Sequence, residues 1–222
     1  MKRSQVNEIL REGDAFIRSF GYRLPPFAYW PGARILGPEG ALIRARAMGW
    51  DITDYGQGRF DELGLFLFTV RNGLADDLGR GRGMLYAEKI MISRKDQLSP
   101  MHRHIIKAED IINRGGARLV LELFASDAGG AIDRAAPVRV PVDGVERVLD
   151  AGGRLALEPG ESVTLLPGVW HAFWGEGGDV LVGEVSTVND DRTDNVFEME
   201  IARFGTIEED AAPLHLLVSD YP

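Results

Sequence analysis

Between Lys2 and Phe20 the apolar residues Val6, Ile9, Leu10, Ile17 and Phe20 recur three, four and seven positions apart. That spacing predicts an amphipathic helix with one face turned to a core. Gly21 ends the pattern, as glycine does just beyond a helix C-terminus. A weaker helical pattern covers Glu39 to Met48, after the turn-rich segment Pro25 to Pro38. From Leu63 onward the chain becomes a series of short runs rich in β-branched and aromatic residues, separated by Gly, Asn, Asp and Pro: Leu63 to Val70, Met84 to Ser93, Arg118 to Ala125, Val138 to Val142, Val145 to Leu149, Arg154 to Leu157, Ser162 to Leu166, Val180 to Val188, Val196 to Phe204 and Leu214 to Val218. About ten strands at this spacing predict an all-β, jelly-roll-like double-sheet barrel. Residues 1–62 are expected to form a helical and loop cover, and residues 63–222 the barrel, within one structural domain.

Composition sharpens this picture mainly by exclusion. With 45% apolar and 27% charged residues in 222, the chain reads as an ordinary globular protein. No stretch approaches the ~18–20 apolar residues of a membrane span, and the polar stretch from Met1 to Asp14 lacks the apolar core of a signal peptide, so a cytoplasmic protein is expected. A formal net charge of -9 with no basic run argues against nucleic acid and anionic membranes; the short basic segments near Arg44 and Arg80 are read as solvated faces. There is no cysteine, which leaves His, carboxylate and carbonyl groups as the only metal ligands.

Three of the four histidines fall in two turn-flanked strand segments. His102 and His104, two apart on an extended segment, project to the same side, and Glu109 can return to that side after a turn. His171 follows the turn Leu166-Pro167-Gly168-Val169-Trp170. Three imidazoles and a carboxylate suit Mn2+, Fe2+, Co2+, Ni2+ or Zn2+, and leave positions open for substrate oxygen. His215, without a ligand-spaced partner, is read as structural.

The spacing His-x-His, four residues, Glu, six residues, Gly116, then Gly160 and Pro-Gly-x-x-His resembles the paired metal motifs of the cupin superfamily. The resemblance implies that His102, His104, Glu109 and His171 are the metal ligands of a small antiparallel barrel. The chain departs from the motif where Leu166 stands in place of Pro, where Gly175 replaces a terminal Asn, and in a long stretch from Gly116 to Gly160.

Several longer strings, Trp50 to Gly56, Thr69 to Gly73, Tyr86 to Met91, Lys107 to Gly116 and Val188 to Asp191, resemble the D-lyxose isomerase family from about Leu24 to the C-terminus. That resemblance implies a manganese-type cupin, commonly a homodimer, that interconverts D-lyxose with D-xylulose and D-mannose with D-fructose, with a small sugar as its partner. Aldose–ketose isomerisation needs an electrophile for the developing enediolate and a separate general base. Lys107, inside the ligand segment, and Glu184, in the middle of the run Val180 to Val188, are the expected catalytic pair. Lys89 and Asp194 are candidates to hold sugar hydroxyls, and Trp170 and Phe173 to stack on the ring. A phosphosugar isomerase, an oxygenase or a non-catalytic carbohydrate-binding cupin are the alternatives; the first would call for a phosphate cradle, and no Gly-rich loop of that kind stands beside the motifs.

Overall fold

A computed structural model describes residues 1–222. Its first helix, α1 (Arg3–Ser19), buries Val6, Ile9, Leu10 and Ile17 and leaves its polar face to solvent. Gly21 then takes φ +74°, and its N–H reaches the Arg18 carbonyl at 2.9 Å. The second helical segment is much shorter than its pattern suggests. After α2 (Gly32–Leu36), α3 spans only Ala41–Ala45, because Ala47 turns to φ 47° and the chain passes directly into β1 (Gly49–Thr53). All five residues of β1 are buried, so it lacks the apolar–polar alternation that reveals a half-exposed strand.

The remaining elements follow in chain order as β2 (Leu65–Arg71), α4 (Ala75–Gly79), β3 (Tyr86–Ser93), β4 (Ser99–His104), β5 (Glu109–Ser126), β6 (Ile132–Asp133), β7 (Val138–Val142), β8 (Val145–Leu149), β9 (Gly153–Leu157), β10 (Ser162–Leu165), β11 (Trp170–Thr187) and β12 (Asn195–Phe197). Every pairing between them is antiparallel, in the order β1-β2-β3-β11-β5-β10-β7-β8, with β4 bridging β11 and β12. The all-β barrel expected from the sequence is therefore the architecture observed. Strands β6 to β9 fill the long stretch between the two histidine motifs, and the β7–β8 hairpin turns on Asp143-Gly144, both at positive φ.

Two expected strands are only halves of longer ones. Arg118 to Ala125 belongs to the 18-residue β5, and Val180 to Val188 overlaps the 18-residue β11. Their glycines bend the strands instead of ending them: the β5–β11 register shifts near Gly116, at φ +100°, where a Cβ would strike the Asp179 carbonyl. Such a bulge increases local twist and re-aims the strand. Beyond it β11 pairs with β3, and before it with β4. Two other runs are not strands as expected. Only Asn195–Phe197 of the Val196 to Phe204 segment is extended, and Leu214 to Val218 contributes a single bridge, Leu217 to Trp50.

Strand β2 shows how the core divides. Phe66 and Phe68 pack with Trp50 against α1, whereas Leu67 points into the barrel with Met91, Leu121, Val163 and Phe173. Lys89 lies two residues before Met91 and so faces inward as well. Polar side chains replace apolar packing where β3, β4, β11 and the start of β5 converge. No helix is long and apolar enough to cross a membrane.

Candidate active site

Strand pairing sets the site. His102 on β4 lies directly opposite His171 on β11, so the two motifs some seventy residues apart become cross-strand neighbours. The ring centroids of His102 and His171 are 4.1 Å apart, and donor nitrogens of His102, His104 and His171 all fall within 4.8 Å of one another. Glu109, the first residue of β5, places Oε1 3.3 Å from His104 Nε2 and 3.2 Å from His171 Nε2. Its backbone pairs with Leu165 of β10 and Ser186 of β11.

The second nitrogens orient the rings. The Pro100 carbonyl lies 2.8 Å from His102 Nδ1, and the Val169 carbonyl 3.1 Å from His171 Nδ1. Assigning a proton to each Nδ1 leaves both Nε2 lone pairs facing the cluster, the arrangement that supports a metal-binding imidazole. His104 Nδ1 faces Asp194 at 3.7 Å. Burial first, then the neighbouring imidazoles, hold His102 well below the ordinary histidine range; burial and the Lys107 ammonium also lower His104. Neutral rings with available lone pairs result. Buried His104 Nε2, His171 Nε2 and Glu109 Oε1 have no hydrogen-bond partner. Such orphans are costly unless something else satisfies them, and the donor set fits a divalent ion. The three-histidine cluster can hold a metal.

A chain of charges leads away from this cluster. Lys107 Nζ lies 2.6 Å from Glu109 Oε2 and 3.0 Å from Glu184 Oε1. Glu184 stands opposite Lys89 in the β3–β11 pair, and Lys89 Nζ is 3.4 Å from Glu184 Oε1, 2.5 Å from Asn189 Oδ1 and 3.7 Å from Asp191. Asp191 in turn lies 3.2 Å from Arg203, which holds Asp51 at 2.6 Å. Desolvation alone would discharge Lys107, but the Glu109 and Glu184 carboxylates outweigh it and keep the ammonium charged. Burial likewise opposes ionisation of Glu109 and Asp191. Lys107 and His104 hold Glu109 well below the usual carboxylate range, and Lys89 and Arg203 do the same for Asp191. Burial pushes Asp51 up, against the pull of Arg203.

Lys89, His102, His104, Lys107, Glu109, Glu184, Asp191 and Arg203 line a partly open cavity of about 40 Å³, walled also by Tyr55, Leu65, Leu67, Met91, Ser99 and Phe197. Tyr55 adopts φ 53°, pinned by its N–H to Thr53 Oγ1 at 2.9 Å; a non-glycine residue held there is strained and needs surroundings that enforce it.

A model of the D-lyxose isomerase family matches residues 1–221. The chain belongs to the D-lyxose isomerase family. It is 46% identical over 226 residues to a D-lyxose/D-mannose isomerase of Serratia proteamaculans and 42% identical to one of Escherichia coli O157:H7, covering 100% of this chain and 98% of each relative. Among solved structures, the L-ribose isomerase of Acinetobacter sp. DL28 superposes with a TM-score of 0.62 at 15% identity, and that of Cellulomonas parahominis with 0.61 at 17%; each match covers 94% of this chain and 98% of the other. Those likenesses show the fold. Membership of the family makes the chain a sugar isomerase.

Of the residues singled out in the sequence, His102, His104, Glu109, Lys107, Glu184 and Lys89 all line this cavity, and His171 closes on it through Glu109. Three do not behave as anticipated. Phe173 packs into the apolar barrel core, and Trp170 is buried with Met101 and Phe124 while its indole N–H reaches Gly130; neither lines the cavity, because alternation puts Trp170 on the face opposite His171, while Phe173, on the face of His171, is taken up by packing with Leu121 and Val163. Asp194 does not offer its carboxylate to a sugar. Its two oxygens accept the backbone N–H groups of Ile105, Ile106 and Lys107 at 2.7–3.1 Å, shaping the β4–β5 loop that presents Lys107. Asp194→Ala should therefore destabilise the isomerase by roughly 2–5 kcal/mol, since buried donors lose a charged acceptor. Denaturant unfolding with the metal chelated checks this, and an unchanged midpoint would reduce Asp194 to a bystander.

His215 lies elsewhere, stacked on Trp50 with ring centroids 5.7 Å apart. The departures at Leu166 and Gly175 have local explanations. Leu166 is exposed, and the turn is instead tied down by the Gly168 N–H to the His104 carbonyl at 2.9 Å. Gly175 meets the carbonyls of Ser93, Arg94 and Gly178 where any Cβ would sit. Sequence reasoning missed Asn189, Asp191, Arg203 and Tyr55. The first two, and Tyr55, lie inside strings that carried the family resemblance; Arg203 had no local signal.

Proposed function

We propose that this isomerase interconverts D-lyxose with D-xylulose and D-mannose with D-fructose, with His102, His104, Glu109 and His171 holding a divalent ion, manganese foremost. The observation that supports it best is the placement of Glu184 and Lys107, 3.0 Å apart, beside an orphaned His/Glu donor set lining one polar cavity. When bound, the ion supplies Lewis-acid polarisation of the sugar's adjacent oxygens, worth several kcal/mol. Glu184 takes the proton from C2 of the aldose and returns it to C1. Lys107, fixed by Glu109, gives a proton to O1 as the aldehyde oxygen gains charge and recovers one from the O2 hydroxyl as it becomes the ketone. Lys89 holds Glu184 from its other side and is available to a sugar hydroxyl. The dry wall of Leu65, Leu67 and Met91 keeps bulk water from the carbanionic stage.

Residues 1–62 act in this reading as a cover on the same structural domain, and the working protein is a cytoplasmic homodimer. A screen of free aldoses with added manganese, reading ketose formation, tests the function. Conversion of D-lyxose and D-mannose is expected, lost on chelation and regained with manganese or cobalt. Undiminished turnover in metal-free protein, or no ketose from any aldose, would overturn it.

A further inference from the structure

The charged wall has a direction. From the His/Glu donor set it runs through Lys107 to Glu184, and from Glu184 through Lys89 and Asp191 to Arg203. Arg203 therefore stands three ionic links beyond the carboxylate assigned to C1 and C2. Its side chain is 10% exposed and lines the cavity, yet comes from the irregular segment after β12. Its Nη2 is committed to Asp51 at 2.6 Å and Asp191 at 3.2 Å. Its Nη1 is buried without a hydrogen-bond partner, and the guanidinium carbon lies 4.7 Å from the Phe204 ring centroid. A guanidinium presents several N–H donors in a rigid fork, so fixing one arm on two carboxylates also fixes where the other points. An unpaired charged donor in a polar cavity is costly to leave unmade and is satisfied well by a neutral hydroxyl.

From this the geometry points to Arg203 as the substrate-binding residue that receives the terminal hydroxyls of the sugar, remote from the reacting carbons, and so as the residue that sets the choice between pentose and hexose. The inference rests on the proposed isomerisation for which end of the sugar meets Glu184. D-Lyxose and D-mannose present the same C1 to C4 and differ only by a hydroxymethyl group at the far end, which is the end that faces Arg203. A contact there acts on ground state and transition state alike, so it belongs in binding more than in turnover. Asp51 and Asp191 are positioning residues in this scheme, since each touches the Arg203 fork.

The test compares wild type with Arg203→Lys, which keeps a cation against Asp51 and Asp191 while removing the forked second arm; Arg203→Met serves as the fuller deletion if it folds. Manganese-loaded proteins are titrated calorimetrically with D-arabinitol, the polyol formed by reducing D-lyxose, and with the same polyol lacking the hydroxyl at the former C5. Arg203→Lys should weaken D-arabinitol binding about tenfold, the equivalent of one charge-assisted hydrogen bond, and barely alter binding of the deoxy polyol. In kinetics the KM for D-lyxose should rise by a similar factor with kcat little changed, and the kcat/KM ratio of D-mannose to D-lyxose should shift. Equal weakening of both polyols, or wild-type affinity for D-arabinitol, overturns the assignment. Wild-type protein that binds D-arabinitol with this Arg203 dependence but converts no aldose leaves Arg203 as a hydroxyl reader and overturns the isomerase reading alone.

Discussion

Glu184→Gln should lower turnover on D-lyxose by about two to four orders of magnitude, the range that a positioned general base contributes. The substitution keeps size and hydrogen-bonding capacity but removes basicity. Metal content should stay normal, because Glu184 reaches the donor set only through Lys107. The fold should survive too: Lys107 retains Glu109 at 2.6 Å, and Lys89 retains Asn189 and Asp191. Steady-state kinetics combined with solvent-hydrogen incorporation at C1 of the ketose decide the matter. Label entering the wild-type product and lost in Glu184→Gln supports proton transfer by this carboxylate. Near-normal turnover with metal bound removes Glu184 as the base and transfers the role to Lys107 or Lys89. Lys107→Met should cut turnover comparably, but with a cost in stability absent from Glu184→Gln. It strips the shared cation from two buried carboxylates, and breaking one partner of a buried ion pair typically costs about 3–5 kcal/mol.

The second large effect concerns the donor set. His102→Ala, His104→Ala, Glu109→Ala and His171→Ala should each lose most bound metal, and activity with it, while His215→Ala keeps both. The reason lies in the cross-strand geometry. The His102 and His171 rings are aimed by separate backbone carbonyls, so no surviving ligand can swing into a vacated place. Glu109→Ala carries an additional penalty, since its carboxylate is the nearest partner of the buried Lys107 ammonium. Elemental analysis of the purified variants gives the readout, with circular dichroism reporting the fold. Full occupancy in two or more of the four ligand variants would remove this site from consideration.

The site's ligand-type residues could be found from spacing because strand periodicity is strict: residues two apart share a face, and His102 with His104 obeys that rule wherever the strand sits. Lys107 and Glu109 follow from their place in the same segment. Glu184 was identifiable as a charge in the middle of an apolar run. Trp170 and Phe173 failed for the complementary reason. Proximity to His171 along the chain does not place a side chain in the cavity: Trp170 alternates to the opposite face, and Phe173, on the face of His171, is taken up by the barrel core. Asp194 failed because a loop carboxylate can serve a ligand or its own backbone, and only the folded loop shows the three N–H groups that claim it.

By itself the sequence determined the all-β class, the helix of residues 3–19, the residue types of the donor set and the family. Each depends on local periodicity or on short strings whose chemistry travels with them. Tertiary structure alone decided that β5 and β11 run unbroken through their glycines, that Gly49–Thr53 joins the sheet, and that Asp191 links Arg203 to Lys89 in the cavity wall. Burial of a charge is a property of partners distant in the chain: Arg203 and Asp51 are separated by 152 positions, and nothing in either neighbourhood encodes the other. Their ionic contact exists only once the barrel has excluded water from both.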